Sequence, residues 1–171
     1  MKNNNNNLNK KPLDFIENKT INYDSLSGIL ESSREQNHWA NFGPVTTQLE
    51  AHLHNKLKLS NKREVVMCKS GTSAIMTLVS LCEIKAKKKL NWVISAFGFI
   101  ASNTGPLHSA EVIDCDKNGL LDIQKLAQLP KDKWDAVLFT NTFSICQDIT
   151  PLVNLCKEQN KYLIIDNAVG L

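Results

Sequence analysis

Residues 65 to 74 read Val65-Val66-Met67-Cys68-Lys69-Ser70-Gly71-Thr72-Ser73-Ala74. The apolar residues at the start of this segment predict a buried strand, and Gly71 predicts a tight turn after it. Four apolar residues then recur at helical spacing: Ile75, Leu78, Val79 and Cys82. They predict a helix that begins at the turn, so the segment has the order strand, turn, helix that is typical of an α/β protein.

The start of this helix is a candidate anion site. The first backbone N–H groups of a helix have no partner within it, and the helix dipole favours a negative charge there. Gly71 would let a ligand approach the backbone, and the hydroxyls of Ser70, Thr72 and Ser73 would add donors. We interpret residues 70–73 as a phosphate cradle. The same pattern is also typical of an ordinary helix capped by Ser or Thr, and the sequence leaves both interpretations open.

The rest of the chain alternates predicted strands and helices. Two helices come first, at residues 23–36 and from about residue 46, where Thr46-Thr47 and Glu50 fit a capping box. Strands are predicted at 92–95, 111–116, 136–140 and 162–166, and further helices at 97–105, 121–129 and 151–160. This alternation predicts a mostly parallel sheet with helices on both faces.

Ligands of such sheets bind where the parallel strands end. By this rule the phosphate cradle, Phe97 or Phe99, Asn141 and Asp166 lie along one edge of the predicted sheet. We therefore expect a binding site at that edge.

The composition fits a soluble α/β protein of ordinary size, with 171 residues, 42% hydrophobic and 22% charged. A net charge of +3 is too small to indicate nucleic-acid binding. The chain has no run long enough to span a membrane and no signal-peptide core, so we expect a cytoplasmic protein. Its five cysteines form no C-x-x-C pair, which disfavours a metal site and favours free thiols. Residues 1–20 predict a disordered leader, and residues 21–171 the folded part.

Five segments occur together in an order and spacing that are typical of one enzyme family. They are Asn41-Phe42-Gly43-Pro44 with Leu49-Glu50, Ser70-Gly71-Thr72-Ser73-Ala74, Gly98-Phe99-Ile100-Ala101-Ser102-Asn103, Glu111-Val112-Ile113-Asp114-Cys115-Asp116 and Ile164-Ile165-Asp166-Asn167-Ala168. With them, the chain from about residue 25 resembles the pyridoxal 5′-phosphate (PLP)-dependent aminotransferases of fold type I, and more narrowly the DegT/StrS family of nucleotide-sugar aminotransferases. The resemblance implies that residues 21–171 are the incomplete PLP-binding large domain of such an enzyme.

The resemblance also implies roles for five residues. The cofactor phosphate would be held by Gly71, Thr72 and Ser73. Phe99 would stack on the pyridine ring, and Asp166 would pair with the protonated ring nitrogen. An acid in that place keeps the ring cationic, so that the ring can act as an electron sink.

From the residues alone, other roles stay open. Phe99 could be a core phenylalanine, with Phe97 stacking in its place. Asp166 could cap a helix or a turn.

The chain departs from the family pattern at three places. The family's Schiff-base lysine lies some tens of residues after the motif of Asp166, and no lysine here takes that place. Lys69, beside the phosphate cradle, is more simply a neutralising charge. Val169 stands where many sugar aminotransferases have Gln or His, and Phe143-Ser144 where Phe/Tyr-Gly is usual. We therefore expect an N-terminal fragment that is inactive alone, and we assign no catalytic residue.

The resemblance implies an enzyme that passes an amino group from an amino acid, commonly glutamate, to a keto-sugar nucleotide in sugar or polysaccharide biosynthesis. It also implies a homodimer, and we expect neither nucleic acid nor a membrane as a partner. The alternative is a non-catalytic α/β domain that binds a phosphorylated ligand or acts as a partner subunit.

Overall fold

The computed structural model describes residues 19–145 and 147–170. The chain divides into two compact units, one up to Val65 and one from Val66 onward. No helix within the described residues is long and apolar enough to cross a membrane. The predicted leader lies outside the described residues over positions 1–18, and the assignment of residues 21–171 to one incomplete large domain remains a prediction.

The first unit contains helix α1 (Tyr23–Gln36) and helix α2 (Pro44–Lys56). Helix α1 has the predicted bounds, and the side chain of Asn22 caps it by accepting a hydrogen bond from the Ser25 N–H at 3.0 Å. A hydrogen bond from Gln48 Nε2 to Ser32 Oγ, at 3.1 Å, joins the two helices.

Helix α2 begins two residues before the predicted position. Pro44 is its first residue and Gly43 its N-cap, without a side-chain cap. The predicted capping box is therefore wrong. The N–H group that proline lacks would have no helical partner at the first position, and the φ angle of proline suits a helix. The helix therefore starts at Pro44 and not at the threonines. Thr47 instead donates its hydroxyl to the Phe42 carbonyl at 3.2 Å.

The second unit is an α/β layer structure. Its regular elements are α3 (Gly71–Ala86), β1 (Trp92–Ser95), β2 (Glu111–Ile113), α4 (Ile123–Gln128), β3 (Ala136–Thr140), α5 (Thr150–Glu158) and β4 (Tyr162–Asp166). Three short 3₁₀ helices lie between them, at Ile100–Asn103, Gly105–Ser109 and Thr142–Ser144. The four strands form one parallel sheet in the order β2-β1-β3-β4, as the alternation of elements predicts.

Side chains that alternate along the strands build a core on each face of this sheet. On one face, Trp92 and Ile94 of β1 pack in a cluster with Val79 of α3. On the other face, Val93 of β1 belongs to a cluster that includes Leu126 of α4 and Leu152 of α5. The strands are thus buried on both sides, which is the expected state of a parallel sheet and confirms the predicted layers.

Two predicted elements have another structure, and the strand predicted at 111–116 ends at Ile113. Residues 65–67 form no strand, and Val66 is 63% exposed, because an apolar run becomes a strand only when a neighbouring strand pairs with it, and none of the described strands does. The helix predicted at 97–105 is instead two 3₁₀ helices, at Ile100–Asn103 and Gly105–Ser109. Thr104 between them has an extended backbone, and Gly105 begins the second with a φ of 56°, so the helical path is broken there.

The described cysteines are all free thiols, as predicted: Cys68, Cys82, Cys115 and Cys156. Burial raises the pKa of the Cys156 thiol to about 11, so this side chain acts as a small apolar group in the core. Cys146 lies outside the described residues.

Candidate functional site

A cavity of about 430 Å³ lies at the edge where β1, β3 and β4 end. Its walls come from residues 97–99, from residues 140–143 and from Asp166, Ala168 and Val169. Since each of these segments ends or directly follows a parallel strand, the cavity occupies the edge at which open α/β sheets bind ligands. The structure thus brings together Phe97, Phe99, Asn141 and Asp166, which the sequence places along this edge.

Two phenylalanines of the cavity wall have different surroundings. Phe97 packs on its neighbours: its ring centroid lies 6.0 Å from that of Phe143, and its Cδ1 would lie 3.4 Å from a Cβ at Gly119. Phe99 is 69% exposed, so it is no core residue. The ring of Phe99 is therefore the freer of the two to cover a ligand.

The carboxylate of Asp166 lies at the end of β4 and is half-buried in the cavity wall. Its Oδ1 accepts a hydrogen bond from the Ala168 N–H at 3.1 Å, so Asp166 does shape a turn. Among the described residues, none donates a hydrogen bond to its second oxygen, Oδ2. One oxygen thus holds the turn, and the other is open to a ligand.

The phosphate cradle begins α3 but does not belong to the cavity wall. Ser70 and Ser73 cap the helix reciprocally, since Ser70 Oγ accepts from the Ser73 N–H at 3.1 Å and Ser73 Oγ from the Ser70 N–H at 3.0 Å. This is the capping that the sequence left open as an alternative. Within the described part of the chain, the N–H groups of Gly71 and Thr72 have no acceptor, and a Cβ on Gly71 would meet nothing within 4 Å. The helix start therefore keeps two free donors.

The cradle nevertheless lies toward the same edge of the sheet as the cavity. Only residues 87–91 separate α3 from β1, so the two run antiparallel and the first turn of α3 lies toward the end of β1. In agreement, the Sδ of Met76 in α3 would lie 3.0 Å from a Cβ at Gly105, which follows β1.

Two buried polar atoms beside the cavity have no hydrogen-bond partner among the described residues: Asn141 Oδ1 and Thr142 Oγ1. Leaving such an atom unpaired costs about 1–3 kcal/mol. A bound ligand with polar groups at this wall would remove that cost. Thr142 is not among the site residues predicted from the sequence, although its place two residues after the end of β3 is a signal that could have found it.

No lysine is among the described residues of the cavity wall. Lys69 directly precedes the phosphate cradle and is exposed. The wall itself is formed mainly by aromatic and small side chains, with the Asp166 carboxylate as its charged group.

A parallel sheet with an apolar cavity, an open carboxylate and a free helix start at one edge defines a ligand-binding α/β domain. Residues 24–171 match the DegT/DnrJ/EryC1/StrS aminotransferase family, and the chain belongs to this family. The resemblance seen in the sequence is thereby confirmed.

Solved structures agree on the fold. The E. coli GDP-4-keto-6-deoxy-D-mannose-3-dehydratase with bound hydrated PLP is 19% identical, with a TM-score of 0.68 over 88% of this chain and 39% of that chain. The 3-amino-5-hydroxybenzoic acid synthase is 16% identical, with a TM-score of 0.73 over 91% of this chain and 40% of that chain. An aminotransferase from Psychrobacter cryohalolentis is 19% identical, with a TM-score of 0.64 over 85% of this chain and 37% of that chain.

This chain thus spans about 40% of the length of these structures. The predicted fold, that of the N-terminal part of the large domain in fold type I PLP enzymes, is confirmed. The predicted cofactor is also the cofactor of the family, and hydrated PLP is bound in the dehydratase.

Proposed function

We propose that this chain forms the cofactor-binding part of a PLP-dependent aminotransferase that acts on keto-sugar nucleotides. One observation carries the proposal: Phe99, in the loop after β1, and Asp166, at the end of β4, both line one cavity. A phosphorylated aromatic cation needs an apolar surface, a carboxylate and N–H donors for its phosphate, and the described residues present all three at this edge.

The described residues suit the separate parts of PLP. The free N–H groups of Gly71 and Thr72, with the hydroxyl of Thr72, would hold the phosphate. Ser73 would join them once its hydroxyl turns away from the Ser70 carbonyl, to which it donates at 2.8 Å. The exposed ring of Phe99 would cover the pyridine face. Asp166 Oδ2 would accept a hydrogen bond from the protonated ring nitrogen, and its negative charge would keep the proton on that nitrogen. When bound, PLP supplies a ring that withdraws electrons from the substrate carbon next to the amino group.

The finer parts of the proposal come from family resemblance. We propose glutamate as the amino donor, a keto-sugar nucleotide as the acceptor, a homodimer as the assembly and the cytoplasm as the location. The name of the dehydratase includes that of a GDP-linked keto-sugar, and this supports a nucleotide sugar as the substrate class.

A second candidate is a non-catalytic domain that binds a phosphorylated ligand or completes a partner chain. The cavity wall favours it, because no lysine is among the described residues there, and covalent PLP chemistry in this family needs one. The two candidates share the binding site and differ in turnover.

Binding of pyridoxamine 5′-phosphate tests the site. This compound carries the ring and phosphate of PLP without its aldehyde, so it does not react with surface lysines. We expect calorimetry on the 171-residue chain to show binding that is at least tenfold tighter than that of pyridoxamine, which lacks the phosphate. Gly71→Val should abolish this preference, because its side chain would fill the space in front of the free N–H groups.

Gly28→Val in α1 is the matched control, because a Cβ at Gly28 also meets nothing within 4 Å, and it should bind as the wild type does. Equal affinity of the Gly71→Val variant and the wild type would overturn the cradle. The two candidates are then separated by amino transfer from glutamate to a keto-sugar nucleotide, assayed with PLP and with a lysine-bearing relative added as partner chain. Binding without any transfer would favour the non-catalytic domain.

A further inference from the structure

We infer that Asn141 is a positioning residue that aims the Asp166 carboxylate into the cavity. It would do so through an amide clamp, by which we mean Asn141, Asn167 and the backbone of Gly170. The inference rests on the proposed function, since the proposed function places a ring nitrogen opposite the Asp166 carboxylate.

The contacts of the clamp join two neighbouring strand ends. The Asn141 N–H donates to the Asp166 carbonyl at 2.8 Å and continues the β3–β4 pairing by one residue. The side-chain Nδ2 of Asn141 donates to Asn167 Oδ1 at 2.7 Å. One asparagine thus holds both the backbone of Asp166 and the side chain of the next residue.

The turn that Asn167 opens carries the carboxylate. The Gly170 N–H donates to the Asn167 carbonyl at 3.0 Å, and the Ala168 N–H donates to Asp166 Oδ1 at 3.1 Å. Among the described residues, the Ala168 N–H is the one group that hydrogen-bonds the Asp166 carboxylate. The orientation of that carboxylate therefore depends on the turn, and the turn depends on its link to Asn141.

Gly170 belongs to the clamp because a residue with a side chain does not fit beside the two amides. A Cβ at this position would lie 2.1 Å from Asn167 Oδ1 and 2.7 Å from Asn141 Nδ2. The backbone of Gly170 therefore packs directly on the hydrogen bond between the two amides. Any larger residue would push the two side chains apart, and side-chain ends can move without unfolding the sheet.

The clamp is tested by whether the site recognises a ring nitrogen. Two probes are compared by calorimetry: pyridoxamine 5′-phosphate and its 1-deaza analogue, in which carbon replaces the ring nitrogen. A charge-assisted hydrogen bond from the ring to Asp166 should favour the nitrogen compound by about tenfold to a hundredfold in Kd in the wild type. In Asn141→Ala this ratio should fall to about threefold or less. A general loss of structure would instead weaken both probes alike.

A second readout needs no ligand. The exchange of the Ala168 amide hydrogen with D₂O, followed by NMR, should be slowed in the wild type, because its N–H donates to Asp166 Oδ1. This protection should fall in Asn141→Ala and in Gly170→Ala. Asn154→Ala, an exposed asparagine on α5, is the matched control and should behave as the wild type in both experiments.

The outcomes distinguish a failure of the proposed function from a failure of the clamp inference. If the wild type does not prefer the nitrogen compound, the proposed role of Asp166 fails, and the clamp inference fails with it. If the wild type prefers it and Asn141→Ala keeps the full ratio and the full protection of the Ala168 amide, the proposed function stands and the inference alone is overturned. A reduced ratio together with reduced protection supports both.

Discussion

At the scale of single residues, the cavity wall combines an open carboxylate, that of Asp166, with an exposed ring, that of Phe99. The apolar run before Asp166 is enough to place its carboxylate at the end of a strand. The exposure of Phe99 and the packing of Phe97 against Phe143 depend on loops that meet only in the folded chain. The hydrogen bond between the side chains of Asn141 and Asn167 cannot be predicted from the sequence for the same reason, because 26 positions separate the two residues.

Backbone strain in the loop after β3 gives a prediction at this scale. Ser144 has a φ of 57°, in the left-handed region that disfavours residues with a Cβ. Ser144→Gly should raise the free energy of unfolding by about 1 kcal/mol, measured by urea denaturation. Ser80→Gly, at an exposed site within helix α3, should lower it by about 0.5 kcal/mol, because glycine weakens a helix interior more than serine does. Changes of the same sign in both variants would contradict the strain argument.

At the scale of helices and strands, local patterns succeed where they agree with tertiary contacts. Strands β1, β3 and β4 have the predicted bounds, because their apolar runs are buried within the sheet, and α1 has them because Asn22 caps its start. The apolar residues 65–67 have the same local pattern but no partner strand among the described ones. A strand forms only when it pairs with another strand, so the pattern of a single segment does not suffice to predict it.

The start of β4 provides a prediction for this scale. Lys161 Nζ donates to the carbonyls of Lys131 and Trp134, each at 2.6 Å, and lies 5.1 Å from the centre of the Trp134 ring. It thereby ties the loop before β3 to the start of β4. Lys161→Met keeps the apolar stem and removes the donors, so it should lower the free energy of unfolding by about 1–2 kcal/mol.

Urea denaturation measures this effect, and Lys157→Met is its control, because Lys157 is exposed on α5. Equal losses in the two variants would show that the carbonyl contacts of Lys161 add no stability.

At the scale of the whole molecule, the alternation of strands and helices predicts a parallel sheet, and the rule for strand ends predicts where its cavity lies. The order β2-β1-β3-β4 does not follow from periodicity, because several crossover orders have the same pattern along the chain. The cavity is nevertheless found at the predicted edge, since every parallel strand ends there whatever the order.

Stability of the second unit should fall in acid because of one carboxylate that joins distant parts of the chain. Partial burial raises the pKa of Asp135, but the hydrogen bond from the Asn91 N–H at 3.0 Å and the ion pair with Lys88 at 2.7 Å outweigh it, and the pKa lies below its ordinary value. A depressed pKa means that the folded state holds this proton less tightly than the unfolded chain does. The stabilisation is therefore complete above the unfolded pKa of about 3.9 and is lost as the pH falls through the lower folded value.

Replacing this carboxylate should remove its share of the acid sensitivity. We expect Asp135→Asn to lower the free energy of unfolding by about 1 kcal/mol at pH 7 and by less at pH 2.5, where the unfolded chain holds this proton and the stabilisation declines. Urea denaturation at both pH values measures the difference, and Asp132→Asn, at an exposed position nearby, should change neither value. The same loss at pH 2.5 as at pH 7 would mean that Asp135 acts through packing and not through its charge.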